Sequence, residues 1–107
     1  MALRYRILPE AKQELIDAAA YHEEQREGLA LKLFAELDAI VERARELPAS
    51  GRRVELGSGH AVHCFQMRRF RYSVFAAISG NHLVVVGVSH HKRRPEYWVD
   101  RLKNLPP

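Results

Sequence analysis

The stretch from Leu83 to Val88 constrains this chain more than any other. Leu83, Val84, Val85, Val86 and Val88 are apolar on both parities of an extended backbone. A strand with two apolar faces must be covered on both sides, which makes it an interior strand of a packed sheet. With 107 residues, 47% of them hydrophobic, the chain holds enough for one domain built on one core. The strand ends in His90, His91, Lys92, Arg93 and Arg94. Polar groups at the end of a rigid interior strand are well placed for recognition or chemistry. The plainer alternative is a solvated strand end that keeps the sheet soluble.

The other elements arrange themselves around that strand. Leu3, Tyr5 and Ile7 recur at period two, a half-buried strand that Pro9 stops. Pro9 also suits the first turn of a helix, with Glu10 near its positive end, and the run to about Gln25 is rich in good helix formers. Ala11, Leu15, Ala18, Ala19 and His22 form one stripe along it. Gly28 marks a turn. A second helix, from about Leu29 to Leu47, repeats Leu33, Phe34, Leu37, Ile40, Val41 and Ala44 at three- and four-residue steps, and Pro48 ends it. Residues 48–60, with Gly51, Gly57 and Gly59, read as a loop. From Ala61 strands return, one carrying Phe65 and Met67 and the next Tyr72, Val74, Ala76 and Ile78, before Gly80–Asn81 forms a two-residue hairpin into the Val-rich strand. A last short helix is expected from Pro95 to about Leu102. The expected order is β-α-α-β-β-β-α: an α+β fold with an antiparallel-rich sheet and a helical hairpin on one face, spanning 1–107 as a single domain. The Val-rich strand needs a neighbour on each side, and the N-terminal strand is the second one.

Seventeen Lys and Arg against 13 Asp and Glu give a net charge of +4 and a pI near 9.6. That balance suits an anionic partner, either nucleic acid or an acidic protein segment. The single cysteine, Cys64, cannot make an internal disulfide, so a reducing cytoplasm is the expected compartment. The opening residues, interrupted by Arg4 and Arg6, lack a signal-peptide core, and no apolar run is long enough to cross a bilayer.

Little of the residue pattern carries chemistry outright. His60 and His63 stand at an odd offset, as do His90 and His91, so each pair points to opposite faces of a strand; no metal set and no cofactor is expected. Cys64 lies inside a strand, where a thiol is ordinarily inert. Gly57-Ser58-Gly59 precedes a strand rather than a helix, the wrong context for a phosphate loop. The cationic cluster remains. Metal-free RNA cleavage needs a cation for the phosphorane, which Arg93 or Lys92 could supply, and a base and acid, which His90, His91 or Tyr97 could supply. Tyr97 and Trp98 fit either a base-stacking platform or an apolar anchor, and the position of Trp98 in a short helix after Pro95 favours the anchor.

His90, Lys92-Arg93, Pro95, Tyr97-Trp98 and Arg101, at these spacings, resemble the closing signature of the RelE/ParE superfamily of bacterial toxins. Arg69-Phe70-Arg71-Tyr72 resembles its Phe-Pro-Tyr hairpin, with Arg71 where proline is usual. Ala11, Leu15, Gly28, Phe34 and Pro48 fall at its helical landmarks. The resemblance implies a toxin of a type II toxin–antitoxin pair, neutralised in a hetero-oligomer by a cognate antitoxin encoded by the adjacent gene. One branch cuts mRNA in the ribosome without metal; the other poisons DNA gyrase. The ribonuclease branch carries an arginine where this chain has Ser73, and strand lysines where it has His63, Cys64, Gln66 and Met67. Arg93, Tyr97 and His90 are the residues that such an activity would use. The Pro-x-Tyr-Trp ending is closer to the gyrase branch. Lys92, Arg93, Arg101, Arg52 and Arg53 are the expected target- or antitoxin-binding residues, and Phe70, Tyr72, Pro95 and Trp98 the structural signature.

Overall fold

The computed structural model describes residues 2–55, 59–91 and 96–106. Lys92, Arg93 and Pro95 lie outside them.

The chain runs β1 (Arg4–Ile7), α1 (Pro9–Gln25), α2 (Leu29–Glu46), a 3-10 turn (Pro48–Ser50), β2 (Arg52–Val54), β3 (Ala61–Gln66), β4 (Tyr72–Ser79), β5 (His82–His90) and a second 3-10 segment (Val99–Asn104). The five strands form one sheet in the order β1-β5-β4-β3-β2. The Val-rich β5 takes β1 as a parallel neighbour and β4 as an antiparallel one, as its two apolar faces require. Leu83, Val84, Val85 and Val86 are at most 1% exposed.

Both helices fall where the periodicity places them. Ala11, Leu15, Ala18 and Ala19 are the buried stripe of α1; Leu33, Leu37, Val41 and Ala44 that of α2. Gly28 takes φ +92, the left-handed conformation that glycine adopts without strain. The Glu23 carboxylate accepts the backbone N–H groups of Gly28 and Ala30 at 3.0 and 2.9 Å, so α1 supplies the N-terminal cap that α2 lacks in its own first residues. Those two bonds lower the carboxyl pKa. Leu3 and Arg45 fasten β1 to the end of α2: Leu3 N–H donates to the Arg45 carbonyl at 3.0 Å, and Arg45 Nε to the Leu3 carbonyl at 2.6 Å.

Two expectations are corrected. Residues 48–60 are not all loop, because Arg52–Val54 pairs antiparallel with Val62–Cys64 as an edge strand. Three residues are too few to show period two, and Gly51 reads as a breaker for a different reason: a Cβ there would lie 2.6 Å from the Phe65 ring. The last segment is a 3-10 turn rather than an α-helix. Six residues give little cooperative helix stability, and the buried side chains of Trp98, Leu102 and Leu105 decide its path. The α+β class, the hairpin and the antiparallel-rich sheet stand; the order gains a strand and ends in a 3-10 turn.

The register defines two faces. Phe65, Val74 and Val88 share the face covered by the helices, while Cys64, Phe75 and Gly87 share the other. Phe75 lies opposite Gly87 but Ala76 lies opposite Val85, so Val86 is an extra residue, a bulge in β5. The C-terminal segment packs on the second face. Trp98 is fully buried, its ring 4.9 Å from that of Phe75. A Cβ at Gly87 would lie 3.3 Å from Trp98, so the glycine lets the indole settle on the strand.

Candidate functional site

Strand β1 pairs with β5 only as far as Val85, after which Pro9 turns the chain into α1. The rest of the β5 edge would be bare. Side chains close it instead. Glu14 Oε1 accepts the Val88 N–H at 3.1 Å, and Arg101 donates to the carbonyl of the bulge residue Val86 at 2.8 Å. The two side chains bind each other through a pair of 3.0 Å contacts, a bidentate carboxylate–guanidinium pair with side chains 14% and 15% exposed. Tyr97 adds its hydroxyl, donating to Glu14 at 3.0 Å, while the Arg101 guanidinium lies 4.9 Å from the centre of the Tyr97 ring. Glu14 comes from the helical layer and Arg101 from the C-terminal segment, so the pair joins the two layers around the open edge.

Two expected site residues, Tyr97 and Arg101, take part in this arrangement. Burial, then the neighbouring Glu14 charge, push the Tyr97 hydroxyl up to about 12. A phenol so held keeps its proton at neutral pH. The hydrogen bond to Glu14 is the largest cause holding the Arg101 pKa above its usual value. Arg101 is therefore not the outward cation expected from its position in the sequence; its guanidinium is turned inward and committed.

At the end of the second face, a hollow of about 210 Å³ is lined by Arg52, Cys64, Gln66, Ser73, Phe75, Ser89, His90 and His91. The sheet register builds it: Gln66, Ser73 and Ser89 are neighbours across three strands, and Arg52 pairs with Cys64. The structure thus brings Arg52 beside His90 and His91. Arg53 pairs with His63 on the other face and reaches Glu55 at 3.4 Å. Of the hollow's polar groups, Ser73 and Gln66 hydrogen-bond each other at 3.3 Å, and Cys64 is a buried free thiol. This lining offers imidazoles and one guanidinium, with neutral side chains where a phosphoryl-transfer site would concentrate cations.

On the helical face, Phe70 is buried and Tyr72 half-buried. Their rings stand edge-on to His22 at 4.9 and 5.6 Å, and Tyr72 stands likewise to His90 at 5.6 Å. No group of three or more His, Cys, Asp or Glu able to hold a metal occurs among the described residues.

Sequence reasoning passed over Glu14 and Gly87. The signal for Glu14 was a carboxylate on the border of the stripe formed by Ala11, Leu15 and Ala18, where a lysine-like solvent role is not the only option. Gly87 was a glycine inside an otherwise unbroken apolar strand, which points to a bulge or a close approach.

Residues 5–95 match the family profile described as the ParE toxin of type II toxin–antitoxin systems, parDE. No curated protein sequence matches the chain. Among solved structures, a chain of the chromosomal ParDE TA system from P. aeruginosa superposes with a TM-score of 0.68 at 12% identity, over 83% of this chain and 96% of that one. At that identity the likeness is one of fold.

Proposed function

The chain belongs to the family of ParE toxins of type II toxin–antitoxin systems, and on that premise we propose that it acts in the cytoplasm as a poison of DNA gyrase, held inactive by a cognate antitoxin. The observation that carries this reading is the commitment of Tyr97 and Arg101 to Glu14. Tyr97, one of the groups that metal-free RNA cleavage would draw on, is taken up in holding the fold, and the guanidinium beside it is taken up with it. Ser73 stands where the ribonuclease branch places an arginine, and the hollow around it adds one guanidinium, Arg52, and the imidazoles of His90 and His91 to hydroxyl, amide and thiol groups. A protein that works by binding needs no such set.

The antitoxin part of the proposal is supported by the hairpin. Ile16 and Tyr21 on α1 and Leu31 on α2 are 44%, 57% and 75% exposed, apolar side chains on the outside of a basic protein that would suit contacts with an acidic amphipathic segment. Among the described residues no helix is long and apolar enough to cross a membrane.

Induction in growing cells tests the target. Gyrase–DNA cleavage complexes with intact mRNA are expected. Cuts at defined codon positions in mRNA, without trapped gyrase, would replace this reading with the ribosome-dependent ribonuclease, and Arg93→Ala would then abolish the cuts.

A further inference from the structure

A second concavity, of about 470 Å³, opens on the helical face at the end of the sheet. Tyr21, His22, Tyr72 and His90 line it together with the buried Phe70 and its two neighbours in the chain, Arg69 and Arg71. Its size is that of a small-ligand site. The loop bearing the arginines is fixed by its backbone, not by its side chains. Arg69 N–H donates to both carboxylate oxygens of Glu36 at 3.2 Å, and the Arg71 carbonyl accepts the His91 N–H at 3.0 Å. Both side chains are exposed, and neither guanidinium makes an ion pair or hydrogen bond among the described residues. Aromatic walls with two placed, uncommitted guanidinium groups call for a ligand that is flat at one end and multiply anionic at the other.

We propose that this cleft binds one nucleotide, its base against the Tyr21, Tyr72 and His90 rings and its phosphate held by Arg69 and Arg71. Base–aromatic stacking tolerates any base, and a phosphate presents enough oxygens for two guanidinium forks, more than a single carboxylate does. The opposite end fixes the direction. A hollow of about 280 Å³ adjoins it, sharing Tyr21, Tyr72 and His90 but lined also by Glu14 and Asp17. Glu14 is already paired with Arg101, but the Asp17 carboxylate there disfavours a second phosphate, so the site takes a free nucleotide or the phosphorylated end of a strand, not the middle of one.

Calorimetric titration of the purified full chain tests this with AMP, adenosine, inorganic phosphate and a 5′-phosphorylated oligonucleotide. AMP should bind about tenfold or more tighter than adenosine or phosphate alone, because each lacks half of the recognition. Arg69→Ala with Arg71→Ala should weaken AMP about tenfold and leave adenosine unchanged, while Tyr21→Ala should weaken both. All three positions are exposed, and unchanged melting temperatures will show that the variants fold. Competition by the oligonucleotide would assign the strand end; failure to compete would assign the free nucleotide. AMP binding no tighter than phosphate, AMP binding indifferent to these substitutions, or displacement of AMP by an acidic tryptophan peptide of equal affinity would overturn the proposal.

Discussion

Removing the Glu14 carboxylate should be among the most damaging single changes on this chain. Glu14→Ala strips three partners at once: the Val88 amide, the Tyr97 hydroxyl and both forks of Arg101. What remains is a guanidinium with only 15% of its side chain in water and one carbonyl partner, on Val86. Breaking a buried ion pair by deleting one member costs about 3–5 kcal/mol, and the residual exposure of this pair sets the expectation near the lower end, about 3 kcal/mol. For a chain of this length that corresponds to a fall in melting temperature of roughly 12 °C. Urea unfolding of Glu14→Ala, Arg101→Met and the double variant gives the coupling directly. Because the cost lies in stranding a charge, the double variant should be more stable than either single one plus its partner's loss would allow, by about 2 kcal/mol. A Glu14→Ala loss below about 1 kcal/mol, or strict additivity of the two substitutions, would refute the closure of the β5 edge by this pair.

Two further outcomes follow from the same structure. Leu37→Ala and Val86→Ala, at 3% and 0% exposure, should each lower stability by about 2–4 kcal/mol, read from denaturant midpoints. For pH, the Tyr97 hydroxyl titrates at about 12 in the fold against 10.0 ordinarily, so the folded chain keeps a proton that the unfolded chain loses. The contribution is present in full below pH 10 and is lost as pH rises toward about 12; Tyr97→Phe should flatten that part of the stability profile, and an unchanged slope would contradict it.

The parts of the fold that were legible in the sequence are those whose signal is repetition. Leu33, Leu37, Val41 and Ala44 announce one face of a helix several times over, and Val84, Val85 and Val86 announce a doubly covered strand. The need of that strand for two neighbours then places β1, which no local pattern does. What escaped was short or non-local. Arg52–Val54 becomes a strand only because β3 offers an unpaired edge. The segment after Trp98 takes a 3-10 path because tertiary anchors outweigh a few residues of helical preference. Arg101 stands three and four residues from the two aromatics, a spacing that suits contact with a ring, yet the direction of its guanidinium depends on a carboxylate 87 residues away.

That last dependence gives the site its architecture. The strand carrying the imidazoles has two kinds of neighbour: as far as Val85 a strand flanks it on each side, while beyond the bulge at Val86 one flank is a strand and the other is Glu14 and Arg101. A strand partner would have covered the approach to Ser89 and His90; two side chains satisfy the backbone at Val86 and Val88 without doing so. The hollows at the end of the sheet, on both of its faces, include His90 in their linings. The bulge, the carboxylate and the guanidinium are thus the physical means by which a buried core strand ends at two open surfaces.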